Sequence, residues 1–120
     1  MPHLHLEYSD NIQQLETQPL MLAIHQALFN AGYINDPNDL KSRAIVQQDF
    51  LIGLEQKTDQ AYVHAKVSLL TGRSLDIRQA ISKLVLQVMQ QHIVSQPGLK
   101  IQLCVEILEM DKETYTKAII

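Results

Sequence analysis

The sequence predicts an α+β fold: a doubled β-α-β unit forming one four-stranded sheet with two helices on one face. Three observations support this. Two stretches alternate at period two, Leu4, Leu6 and Tyr8 against His3, His5 and Glu7, then Val63, Ala65, Val67 and Leu69 against Tyr62, His64, Lys66 and Ser68. Each is followed by apolar residues at helical spacing, and each helical segment by a further β-rich stretch. Strands joined through a helix run parallel with right-handed crossovers, so the two halves combine into one sheet. The expected organisation is one domain over residues 1–120, with pseudo-repeats at 2–53 and 61–109 and a tail at 111–120.

The first strand ends near Ser9. Asp10 with Gln13 three residues later has the form of a capping box and opens a helix. Pro19 is tolerated only within a first turn, which offers Thr17 as the start of the regular helix. Leu20, Ile24, Ala27, Leu28 and Ala31 share one face, and Gly32 suits the C-terminal cap. Asn35-Asp36-Pro37-Asn38-Asp39 is a turn cluster. Leu40 to Ile52 reads as a strand through Ile45, Val46, Phe50 and Ile52, with a break near Gln47-Gln48. Gly53 to Gln60 is a polar connection.

The second unit begins with the alternation of Ala61 to Leu70. Thr71-Gly72-Arg73 is a turn, Ser74 caps a second helix, and Asp76 sits favourably against its dipole. Ile77, Ala80, Ile81, Leu84, Val85, Val88 and His92 mark the expected buried stripe. After Pro97-Gly98, Ile101, Leu103, Val105 and Ile107 alternate with Gln102, Cys104, Glu106 and Leu108 in the last strand. The opposite sheet face then carries His3, His5, Glu7, Tyr62, His64 and Lys66. A mixed polar and apolar face of that size calls for cover, and a partner subunit in a closed oligomer provides it.

Composition narrows the function. Hydrophobic content of 46% and charged content of 19% suit a folded globular chain. A net charge of −3 argues against general phosphate-backbone binding, so no nucleic-acid partner is expected. Cys104 is the only cysteine, which rules out an intrachain disulfide and a cysteine zinc site. The chain carries neither a membrane-span-length apolar run nor a secretory pattern, giving a cytoplasmic expectation with no membrane partner.

The chemistry concentrates at the amino terminus. Methionine is usually removed before a small second residue, leaving Pro2 as a free secondary amine. Such an amine is a rigid base, and burial beside cations brings its pKa towards neutrality. Strand geometry behind it would hold it at a fixed point. His3 and His5 have the i, i+2 spacing that can hold a metal, but no partner ligand is fixed, so no metal site is assigned. Asp10 reads as a helix cap rather than an acid. His64 and His92 read as interface or core-edge residues, His25 as a surface one and Cys104 as packing.

Met1-Pro2-His3-Leu4-His5-Leu6-Glu7-Tyr8-Ser9-Asp10-Asn11-Ile12, with Tyr62-Val63-His64 and Gly72-Arg73-Ser74-Leu75-Asp76-Ile77-Arg78-Gln79, resembles the 5-carboxymethyl-2-hydroxymuconate isomerase family of the tautomerase superfamily. The resemblance runs over essentially the whole chain. It implies a tautomerase-like doubled βαβ unit assembled as a trimer. It also implies proton transfer between an oxygen and a carbon of a conjugated dienol acid, in homoprotocatechuate breakdown. The family's catalytic proline maps onto Pro2, and the arginine of its Gly-Arg-Ser turn onto Arg73. Its Ile-Arg-Ser-Arg segment reads Leu40-Lys41-Ser42-Arg43 here, so Lys41 replaces the first arginine while Arg43 keeps the second. Lysine is a point donor and cannot grip a carboxylate in bidentate fashion.

Together these readings give a cofactor-independent isomerase acting on a small unsaturated 2-hydroxy or 2-oxo carboxylic acid. Pro2 is the general base, and Arg73, Lys41 and Arg43 bind the dicarboxylate or enol-acid substrate. The cations also lower the amine's pKa and stabilise charge on the substrate oxygen. The alternatives are tautomerisation of another enol acid and a non-catalytic oligomeric binding module of the same fold.

Overall fold

Alternation near the amino terminus becomes strand β1, His3–Ser9, in which Leu4 and Leu6 are buried. The computed structural model describes residues 1–56 and 59–120. Helix α1 (Thr17–Asn30) follows, then a short 3-10 turn (Pro37–Asp39) and strand β2 (Lys41–Gln47). Strand β3 (Gln60–Leu70), helix α2 (Leu75–His92) and strand β4 (Lys100–Met110) repeat the order. Of the polar connection before β3, residues 57 and 58 lie outside the described residues.

The sheet order is β2-β1-β3-β4. β1 runs parallel to β2, β3 parallel to β4, and the two central strands β1 and β3 pair antiparallel. This is the α+β arrangement of two βαβ units joined through their first strands. Leu4 and Leu6 of β1 and Ala61, Val63, Ala65, Val67 and Leu69 of β3 face the helices and are buried. Leu20, Met21, Ile24 and Leu28 of α1 and Ile81, Val85, Val88 and Met89 of α2 complete that core. Each fully buried large aliphatic side chain contributes roughly 1.5–3 kcal/mol relative to exposure. Among the described residues no helix is long and apolar enough to cross a membrane.

The helix ends follow local chemistry. The Ser74 hydroxyl accepts from the Ile77 N–H at 3.2 Å, as expected of an N-cap. At the end of α1, Gly32 at φ 84° lets its N–H reach the Phe29 carbonyl, while the Tyr33 N–H reaches Leu28. Those paired bonds are the αL termination that glycine permits.

Several expectations need correction. Asp10 is exposed and caps no helix; the chain turns through Gln14 at φ 57°, and α1 starts at Thr17 with Glu16 at the N-cap making no side-chain bond. β2 stops at Gln47, so Phe50 and Ile52 belong to a loop, where the Phe50 ring meets Tyr62 edge-on at 5.9 Å. In α2, His92 and Ile77 are exposed, and Met89 takes a core position instead. Cys104 is exposed on β4, not packed. His25 is half-buried rather than superficial, because Ser42 of β2 lies opposite and bonds its Nε2.

The sheet face away from the helices carries the expected polar residues. Lys66 pairs with Glu7 at 3.2 Å, and His64 with Glu106 at 2.9 Å. The Tyr62 hydroxyl donates to Gln47. The segment after β4 reaches this face at His3, through the Tyr115 hydroxyl.

Candidate active site

Pro2 enters β1 and is buried. Its carbonyl accepts from the Lys41 N–H at 3.2 Å, which extends the β1–β2 ladder back to the chain's start. Just before β2, the Asp36 carboxylate accepts from the Asn38 N–H at 2.9 Å and shapes the 3-10 turn that presents Asp39. The terminal amine, on Met1 here, donates to the Asp39 carbonyl at 3.0 Å. With Met1 attached, the Pro2 nitrogen is a tertiary amide without basic character; the free amine lies one residue away.

The surroundings of that amine favour its neutral form. Its pKa falls from 8.0 to about 6, chiefly through desolvation, then through the Lys41 hydrogen bond and charge. Asp39 opposes the fall, and Lys117 adds to it. A part-buried, cation-flanked amine at a strand's rigid start is suited to collect a proton near neutral pH.

Lys41 and Arg43 project beside β1, in register with His3 and His5 respectively. The Arg43 guanidinium donates to His3 Nδ1 at 3.2 Å. Arginine cannot accept, so the neutral His3 ring holds its proton on Nε2 and donates it to the Tyr115 hydroxyl at 3.0 Å. Burial, then Arg43 and Lys41, hold the His3 pKa below its usual value, consistent with that tautomer.

Arg73 follows β3 through Gly72, whose φ of 123° suits the tight turn. The register sets His3 opposite Ser68, so the end of β3 and the start of β1 share one end of the sheet. There the Arg73 Nη2 donates to the Tyr33 carbonyl at 3.2 Å. The fold thus gathers Pro2, Lys41 and Arg73 at one sheet end, with Arg43 a step along the open face. The guanidinium of Arg73 is engaged by the backbone that follows α1. A cavity of about 380 Å³ lined by Asp10, Asn11, Gln48, Phe50, Leu51, Ile52 and Gln56 opens at the opposite end and is separate from this cluster.

Two residues outside the sequence-based set join the site. Tyr115 reaches His3, and Lys117 pairs with Asp39 at 3.0 Å. No periodicity marked them, since both sit in the irregular segment after β4. Among the described residues no group of three His, Cys, Asp or Glu side chains is placed to hold a metal.

The family model for 5-carboxymethyl-2-hydroxymuconate isomerase matches residues 2–119. The chain belongs to that family. A solved 5-carboxymethyl-2-hydroxymuconate isomerase from Deinococcus radiodurans R1 superposes at a TM-score of 0.88 with 22% identity, covering 98% of this chain and 88% of that one. A 5-carboxymethyl-2-hydroxymuconate delta-isomerase superposes at 0.82 with 15% identity, covering 99% and 88%. A fused 4-OT symmetric trimer matches at 0.71 with 12% identity, covering 97% and 91%. Nothing among curated proteins matches this chain. These structural likenesses establish the tautomerase-type fold, and membership of the isomerase family makes the chain an isomerase.

Proposed function

We propose that this isomerase moves a proton within a small unsaturated 2-hydroxy or 2-oxo carboxylic acid, without a cofactor, using the Pro2 amine as general base. The favoured substrate is 5-carboxymethyl-2-hydroxymuconate in homoprotocatechuate breakdown, in keeping with the family. The observation that carries the reading is Pro2 itself, buried at the start of β1 with Lys41 beside it, in surroundings that lower the pKa of the Met1 amine one residue away. In Met1-free protein the neutral Pro2 nitrogen takes the hydroxyl proton of the dienol and returns a proton to a carbon of the conjugated system. Lys41 and Arg43 bind carboxylate, and Arg73 stabilises the oxygen on which charge develops. The substitution of lysine for the family arginine replaces a two-point grip by a single donor, which loosens orientation more than attraction.

The oligomer belongs to the same proposal. The open face, with its half-buried Glu7, His64 and Lys66, suits cover by a second copy, and a trimer is the assembly named for two structures of similar fold.

Comparing protein with and without Met1 tests the base. Met1-free protein should ketonise a simple enol acid, and Met1-retained protein should be nearly inert with its fold and assembly intact. Equal activity in both forms would remove the amine from the mechanism. Inactivity of both, with substrate still bound, would favour the non-catalytic binding module.

A further inference from the structure

The segment after β4 runs across the site end of the sheet. The Asp111 carbonyl accepts the N–H groups of Thr114 and Tyr115, both at 3.1 Å, and this turn reverses the chain. The Lys112 N–H is held by the Thr71 hydroxyl just beyond β3. Tyr115 then meets His3 at the start of β1, with the rings edge-to-face at 6.1 Å. Lys117 lands on Asp39, immediately before β2. In the order β2-β1-β3-β4, the segment leaves β4 and touches the end of every other strand in turn.

We propose that Lys117 is a specificity-determining residue of the Pro2 site, taking a second carboxylate of the substrate, with Tyr115 positioning the strap that carries it. This rests on the functional reading above and extends it to the substrate's far end. Lys117 and Asp39 are solvent-accessible, and exposed ion pairs are held weakly, so an incoming carboxylate can replace Asp39 as the partner of Lys117. Asp39 serves as a placeholder: its carboxylate holds the ammonium while its own carbonyl binds the terminal amine. Lys117 also lowers the pKa of that Met1 amine, so it lies within electrostatic reach of the start of the chain, one residue from the Pro2 nitrogen. Lys41 near one end and Lys117 on the strap provide two separate cationic points, the arrangement an elongated dianion needs. The Tyr115–His3–Arg43 chain of hydrogen bonds anchors the strap while leaving Lys117 free to exchange partners.

The test uses calorimetric binding of adipate and hexanoate, which differ in one terminal carboxylate and do not react. Wild-type protein should bind adipate more tightly than hexanoate. Lys117→Ala should weaken adipate by about tenfold, the loss of one charge-assisted contact, and leave hexanoate within twofold. Lys117→Arg should retain most of the adipate affinity. Asp39→Asn, which removes the competing carboxylate, should tighten adipate. Equal weakening of both ligands, no weakening of either, or no adipate preference in the wild type would each overturn the assignment. Because the readout is binding, a failure of the Pro2 base leaves this result intact and shows instead as absent turnover.

Discussion

Replacing Lys41 by methionine separates the electrostatic part of the amine's environment from the part due to burial. Methionine keeps the apolar stem that covers the strand end and removes the ammonium. The Met1 amine, one residue from the Pro2 nitrogen, stands at about 6 rather than 8.0, and desolvation is the largest cause, followed by the Lys41 hydrogen bond and Lys41 charge. The same surroundings act on the Pro2 amine of Met1-free protein, and desolvation survives the substitution, so its pKa should rise by only about 0.5–1 for loss of one partly screened neighbouring cation. The sign follows directly: a base works when unprotonated, so a higher pKa moves the acid limb of kcat/KM to higher pH. The assay is a pH–rate profile of Met1-free wild type and Lys41→Met on a monocarboxylate enol acid, at low and at high salt. High salt should move the wild-type limb in the same direction as the mutation and move the Lys41→Met limb much less. An acid limb that stays put, or moves to lower pH, would refute the role given to Lys41.

Other expectations follow from the same geometry. Arg73→Ala should lower kcat/KM roughly tenfold or more, a charge-assisted contact being worth on the order of 1.5–3 kcal/mol, with Arg73→Lys recovering part; unchanged kinetics would leave Arg73 as a support for the Tyr33 carbonyl alone. Ile24→Ala, at a fully buried position between α1 and the sheet, should cost about 2–5 kcal/mol in denaturant unfolding while the acid limb stays in place. Light scattering should give three chain masses at micromolar concentration, and a monomer mass would count against a covered sheet face. Pro2→Ala in Met1-free protein should be slowed rather than silenced, since a primary amine remains, and stopped-flow rates on the same enol acid would show it.

Much of the fold was legible because period-two alternation survives wherever one sheet face meets helices. Leu4, Leu6, Val63, Ala65 and Val67 alternate in sequence and are buried in the structure. Ser74 announced α2 through a side chain that can accept a backbone proton, and it does. Local patterns failed where a neighbour decided the outcome. Asp10 and Gln13 have capping-box form, yet the chain turns at Gln14 and the helix waits until Thr17, with Pro19 inside its first turn. Phe50 and Ile52 have strand character, but the Phe50 ring packs on Tyr62 from a loop, and propensity cannot distinguish those two ways of covering a surface. Of the candidate site, Pro2, Lys41, Arg43 and Arg73 could be named from sequence because family motifs surround them. Tyr115 and Lys117 could not, since their partners His3 and Asp39 lie 112 and 78 residues away and the tail has no periodicity.

The central claim is that the Pro2 amine is the base, and its own titration tests this most directly. In Met1-free protein labelled with ¹⁵N at proline, the Pro2 resonance can be followed against pH and set beside the kinetic acid limb. The account predicts a pKa well below the ordinary amino-terminal range of about 7.7–8.0, coincident with the kinetic limb and raised by Lys41→Met. A Pro2 amine that titrates at or above that range, or apart from the limb, would contradict it.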